Sequence, residues 1–132
     1  MNAGLGAVHG FASPFFARDP VPHGVICARL LPAVIKANVQ QLRRENKSVE
    51  RYVAIGKIAA NREHVTDEFA IASLVEWITE SLQLFSIPTL SSFGFTESHA
   101  QQIIPKAKKA GSMKFNPVVL PDEVLLDILM SS

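Results

Sequence analysis

Gly6-Ala7-Val8-His9-Gly10-Phe11-Ala12-Ser13-Pro14, followed by Phe15-Phe16 and then Pro20-Val21-Pro22-His23-Gly24, is the most informative stretch of this sequence. Two histidines, each followed by glycine, stand fourteen residues apart, with Pro14, Pro20 and Pro22 between them. On one straight helix that spacing is roughly 21 Å, too far for a shared ligand. The prolines change the geometry. Proline lacks an amide hydrogen and clashes with the preceding turn, so a helix carrying His9 must break near Pro14. Residues 18–22 then read as a loop, and a second helix starts at His23 or Gly24. Two helices joined by a turning loop can bring both imidazoles to one point.

Outward from this stretch the chain reads as all-α. Residues 2–16 form an apolar helical arm, suited to an interior. In residues 23–45, Val25, Ile26, Leu30, Leu31, Val34, Ile35, Val39 and Leu42 recur near helical spacing, with an expected kink at Pro32. Ser48 can cap a helix over 49–61, whose buried side is expected from Tyr52, Val53 and 55–59. Thr66 is the expected cap of the next helix, with Asp67 and Glu68 in its first turn. Its stripe Ile71, Leu74, Val75, Ile78, Leu82, Phe85 is regular, and Trp77 is expected in the core or an interface. Thr96 caps a helix to about residue 110, interrupted or restarted at Pro105. Residues 112–121 form a loop, and a last helix runs over 122–130.

These features resemble the iron-containing alcohol dehydrogenase family. Members carry a VHG-type step and then a PHGV-type step at this spacing. Leu30-Leu31-Pro32, Ile87-Pro88, Ser91-Ser92-Phe93-Gly94, Thr96-Glu97 and Ser112-Met113-Lys114-Phe115-Asn116-Pro117 continue the likeness. The resemblance implies a multi-helix bundle like the metal-binding C-terminal domain of these dehydroquinate synthase-like enzymes. Residues 1–132 would be a partial helical domain, without the α/β nucleotide-binding domain that precedes it in the family. It also implies that His9 and His23 ligate iron or zinc. The alcohol pocket would draw on Phe15, Phe16, Met113 and Phe115, and NAD or NADP would bind only through the missing domain.

Departures from the family are specific. No Gly-rich phosphate loop of the G-x-G-x-x-G or G-x-x-x-x-G-K type occurs. The family's other two ligands come from an Asp-x-x-x-His step early in the helical domain, and no such step is expected in this chain. On this reading the chain keeps half of the metal site. Phe15-Phe16-Ala17 stand where small residues, often Gly-Gly, are usual. Ile26 replaces a small residue, and Ser13 stands where some members have a further histidine.

Composition narrows the choices. At 132 residues the chain is one domain at most. It is 48% hydrophobic and 19% charged, more apolar than an average soluble domain, as a surface packed against a partner domain would make it. A net charge of +1 gives no electrostatic case for nucleic acid or an acidic membrane. Cys27 is the only cysteine, which fits a reducing cytosol, and its apolar neighbours suggest an inert buried thiol. No apolar run reaches a membrane-spanning length, and the N-terminus lacks a basic leader, so a cytoplasmic location is expected. His64 and His99 are expected to be exposed.

Two functional readings remain open. In the first, the chain is the C-terminal part of a metal-dependent dehydrogenase moving hydride between an alcohol or aldehyde and NAD(P). It would be inactive alone, and would need a separately encoded cofactor domain or an upstream start. In the second it is a non-catalytic orphan helical domain that acts in self-association or protein interaction.

Overall fold

The computed structural model describes Ala7, Val8, Phe11 and residues 22–132, with the backbone only at His23, Gly111 and Ser112. Five helices follow one another: α1 (His23–Arg44), α2 (Glu50–Ala60), α3 (Asp67–Leu84), α4 (Glu97–Lys109) and α5 (Asp122–Ser131). Short 3-10 turns occupy Leu90–Phe93 and Gly111–Phe115. Among the described residues there is no strand, as the all-α reading requires.

The first three helices stop by one device. Asn46, Asn61 and Ser86 each hold a left-handed conformation at φ 55°. The next residue's amide then reaches back to the last turn: Lys47 to Leu42, Arg62 to Lys57, Ile87 to Leu82, at 2.8–3.1 Å. This closure satisfies end carbonyls that a helix otherwise leaves open. The helix starts follow the sequence signals. The Thr66 hydroxyl accepts from the Phe69 amide at 3.1 Å. The Ser48 hydroxyl accepts from the Glu50 amide at 3.2 Å.

The closest helix pair is α2 with α3, and α1 packs on α3 and α5. Gly56 explains the approach: a Cβ there would lie 2.0 Å from the carbonyl oxygen of Ala70. Helix α4 packs on α5. One core unites them, with Leu30, Val34, Leu74, Leu90, Leu125 and Leu129 among its buried members.

Several sequence expectations need correction. Helix α1 contains Pro32, as expected, whereas α4 runs uninterrupted through Pro105. In α4 both Pro105 and Gln101 are exposed, so the carbonyl deprived of its helical donor meets water. Trp77 is 58% exposed, which removes the core alternative for it and leaves the interface one. Ile58 is 78% exposed, because it points away from the side of α2 that carries Tyr52, Val53 and Gly56. Phe85 is 71% exposed, since the chain turns at Ser86 before its side chain meets another element. His64 is exposed as expected, but His99 is half-buried. Its Nδ1 accepts from the Thr96 amide at 3.1 Å, and its ring lies 5.9 Å from that of Phe95. His99 thus takes the part that Glu or Gln usually plays in a capping box.

Candidate functional site

The two histidines of the opening stretch set the question. His9, Phe15 and Phe16 lie outside the described residues. The backbone of His23 begins α1 directly after Pro22, whose carbonyl accepts from the Val25 amide at 3.0 Å. The side chain of His23 is likewise outside the description. Among the described residues no group of three or more His, Cys, Asp or Glu side chains could hold a metal. The sequence contains one Asp-x-x-x-His spacing, Asp19 to His23. That corrects the expectation that the chain has no such step; Asp19 itself lies outside the described residues.

Cys27 is half-buried, one helical turn beyond His23. Burial pushes its thiol above the ordinary range, outweighing a backbone hydrogen bond that acts the other way. A thiol held neutral is a poor nucleophile.

What the described residues do show is how the opening segment is tied to the bundle. Ala7, Val8 and Phe11 are helical and fully buried in the core. The Ala7 amide donates to Asn116 Oδ1 at 3.2 Å. Asn116 belongs to the Ser112–Pro117 loop, and its amide pairs reciprocally with that of Asn38 on α1. Asn116 Nδ2 donates to Asn38 Oδ1 at 2.8 Å, and Asn38 Nδ2 donates to Asn116 Oδ1 at 3.1 Å. Asn116 Nδ2 also donates to the Val118 carbonyl at 2.7 Å. Asn38 Nδ2 donates to the Tyr52 hydroxyl on α2 at 3.2 Å. Asn38 is completely buried, and no buried side-chain polar atom among the described residues lacks a partner. Burial raises the Tyr52 hydroxyl above its ordinary value, opposed by the Asn38 hydrogen bond.

The expected pocket residues separate. Met113 lines a hollow of 240 Å³ with Lys108, Leu120 and Leu125. Phe115 is exposed and lines a different cleft of 370 Å³ with Leu42, Arg51, Tyr52 and Pro117. Asn116 directly follows Phe115 in sequence and holds the loop down. Sequence reasoning singled out the loop without seeing that Asn38 is its counterpart. The available signal was a polar residue on the Leu31, Ile35, Leu42 stripe of α1.

An all-helical domain with two His-Gly steps at its start and an Asn-Pro loop clamped near its end defines the class of protein. The family model described as Fe-containing alcohol dehydrogenase family, C-terminal, matches residues 1–132, and the chain belongs to that family. Comparison with curated proteins and with solved structures returned no match. No helix of the described residues is long and apolar enough to cross a membrane.

Proposed function

We propose that this chain is the metal-binding helical part of an NAD(P)-linked alcohol dehydrogenase, with His9 and His23 as metal ligands. The observation that carries the reading is the family match over the whole chain, within which both His-Gly steps fall. The donor set suits the family's iron, or zinc, in kind, because neutral imidazole binds both. It falls short in number: a catalytic site takes about three protein ligands. Further ligands, which the family draws from an Asp-x-x-x-His step early in the helical domain, and the nicotinamide site of an α/β domain would come from a separate polypeptide or from sequence preceding Met1. A bound metal would supply Lewis acidity toward an alcohol oxygen. The helical domain contributes two donors, one wall of the cleft and exclusion of water. The single cysteine suits a cytoplasmic setting.

Co-expression of the chain with a family polypeptide that carries the nucleotide-binding domain and the Asp-x-x-x-His step tests this. The expected result is alcohol-dependent NAD(P)H formation that His9→Ala and His23→Ala each abolish, together with loss of bound iron or zinc in the variants. No metal and no rate above background in any such mixture would refute it.

A second reading rests on the end of α3, where Trp77, Leu84 and Phe85 are all exposed, Leu84 by 78%. That patch favours self-association of a non-catalytic bundle. Trp77 is the only tryptophan, so its emission reports the patch directly. A blue shift with rising concentration, alongside dimer mass in light scattering, is expected on this reading. A monomer with constant emission would rule it out.

A further inference from the structure

The Asn116 amide uses all of its hydrogen-bonding capacity, on the distant Ala7 and Asn38 and on the nearby Val118. Its oxygen accepts from Ala7 and Asn38, and its nitrogen donates to Asn38 and Val118. The amide has one workable orientation. Turned over, its NH2 would face the Ala7 N–H and its oxygen would face the Val118 carbonyl, leaving donor against donor and acceptor against acceptor. Asn38 keys the same orientation from the far side, and is itself held by Tyr52.

We propose that Asn116 is a positioning residue for the first metal-ligating step: its Oδ1 fixes the main chain at Ala7, two residues before His9. The proposal rests on the reading of His9 as a metal ligand. The hydrogen bond sets the height of the segment against the Ser112–Pro117 loop, and the fully buried Val8 and Phe11 set its rotation. A latch of this kind acts on a ligand through the backbone, not by touching the metal. It differs from a general contribution to stability, because its loss releases the opening segment while α1 to α5 keep their core.

Two residue-resolved measurements on the full chain separate these cases. The first is amide hydrogen exchange, read as the protection of Ala7 and Val8 relative to Leu30 in the middle of α1. The second is titration with Co(II) as a spectroscopic probe. In Asn116→Leu, the Ala7-to-Leu30 protection ratio is expected to fall about tenfold or more, and Co(II) affinity to fall about tenfold, the range typical of lost outer-shell support. Gly56→Ala, which strains the α2–α3 contact, lowers overall protection but leaves both the ratio and the affinity in place. An unchanged ratio in Asn116→Leu overturns the latch. A fallen ratio in a chain that never binds Co(II) keeps the latch and overturns metal binding by the two histidines of this chain alone. A fallen ratio with unchanged Co(II) affinity overturns the positioning role.

Discussion

Gly56→Ala should destabilise the protein even though alanine is the better helix former. The added Cβ would stand 2.0 Å from the Ala70 carbonyl oxygen and 2.4 Å from its carbonyl carbon. Both are backbone atoms of α3, so no rotamer change relieves the contact. The Ala70 main chain must retreat about 1 Å to reach the shortest separation that carbon tolerates, parting a helix pair that shares Tyr52, Val53, Ile71 and Leu74 in one core. Overpacking of this type costs about 1–3 kcal/mol, and a backbone clash belongs at the upper end. Alanine returns about 1 kcal/mol through helix propensity, leaving a net loss of about 2 kcal/mol. For a domain of this size that lowers Tm by about 8 °C. Thermal and urea unfolding followed by circular dichroism measure it. A second variant sharpens the test: because the clash is with the backbone of residue 70, adding Ala70→Gly should give no rescue. A Tm that rises in Gly56→Ala, or recovers in the double variant, would refute the packing described for α2 and α3.

Tyr52 is the only tyrosine, so its ionisation can be read directly from tyrosinate absorbance. Its folded pKa lies above the unfolded value of about 10, so the stability it contributes is complete below pH 10 and is lost as pH rises through the folded value. The titration midpoint should move down on unfolding in urea, and Tyr52→Phe should flatten the alkaline fall in stability; a midpoint unaffected by urea contradicts the burial. At Ser86, a left-handed non-glycine residue carries a steric cost, and Ser86→Gly should raise stability by about 0.5 kcal/mol in urea melts. A loss there would mean that the Ser86 turn is held by more than its backbone conformation.

Helix existence was legible because it is written locally. Thr66 with Asp67 and Glu68, and the Ile71-to-Leu82 stripe, specify α3 without reference to any other part of the chain. What failed depended on neighbours. Proline punctuation suggested a break at Pro105, but a broken hydrogen bond on the wet side of a helix costs little enough for packing on α5 to override it. Trp77 lies outside the core stripe of its own helix, and the choice between core and interface for its ring depends on which faces the other helices cover. Gly56 is invisible for the same reason: nothing around it in sequence says that the backbone of Ala70 passes against it.

The site divides in a similar way, and the division bears on what the Ser112–Pro117 loop does. Read as a motif, the loop invites a role in the alcohol pocket, with Met113 and Phe115 as its lining. In the fold these two side chains fall in separate hollows, and the residue after them, Asn116, makes the long-range contacts. A leucine could fill the space of Asn116, but only an amide of this length can accept from Ala7 and Asn38 while donating to Asn38 and Val118. That requirement accounts for an asparagine here without any contact to substrate. It also accounts for Asn38, a fully buried polar residue that would otherwise weaken α1. The same four bonds make one end of the chain dependent on the other: the segment leading to His9 is held by a loop more than a hundred residues away. A substitution in that loop should therefore disturb the first histidine step before it disturbs the second, whose backbone is already committed to the first turn of α1.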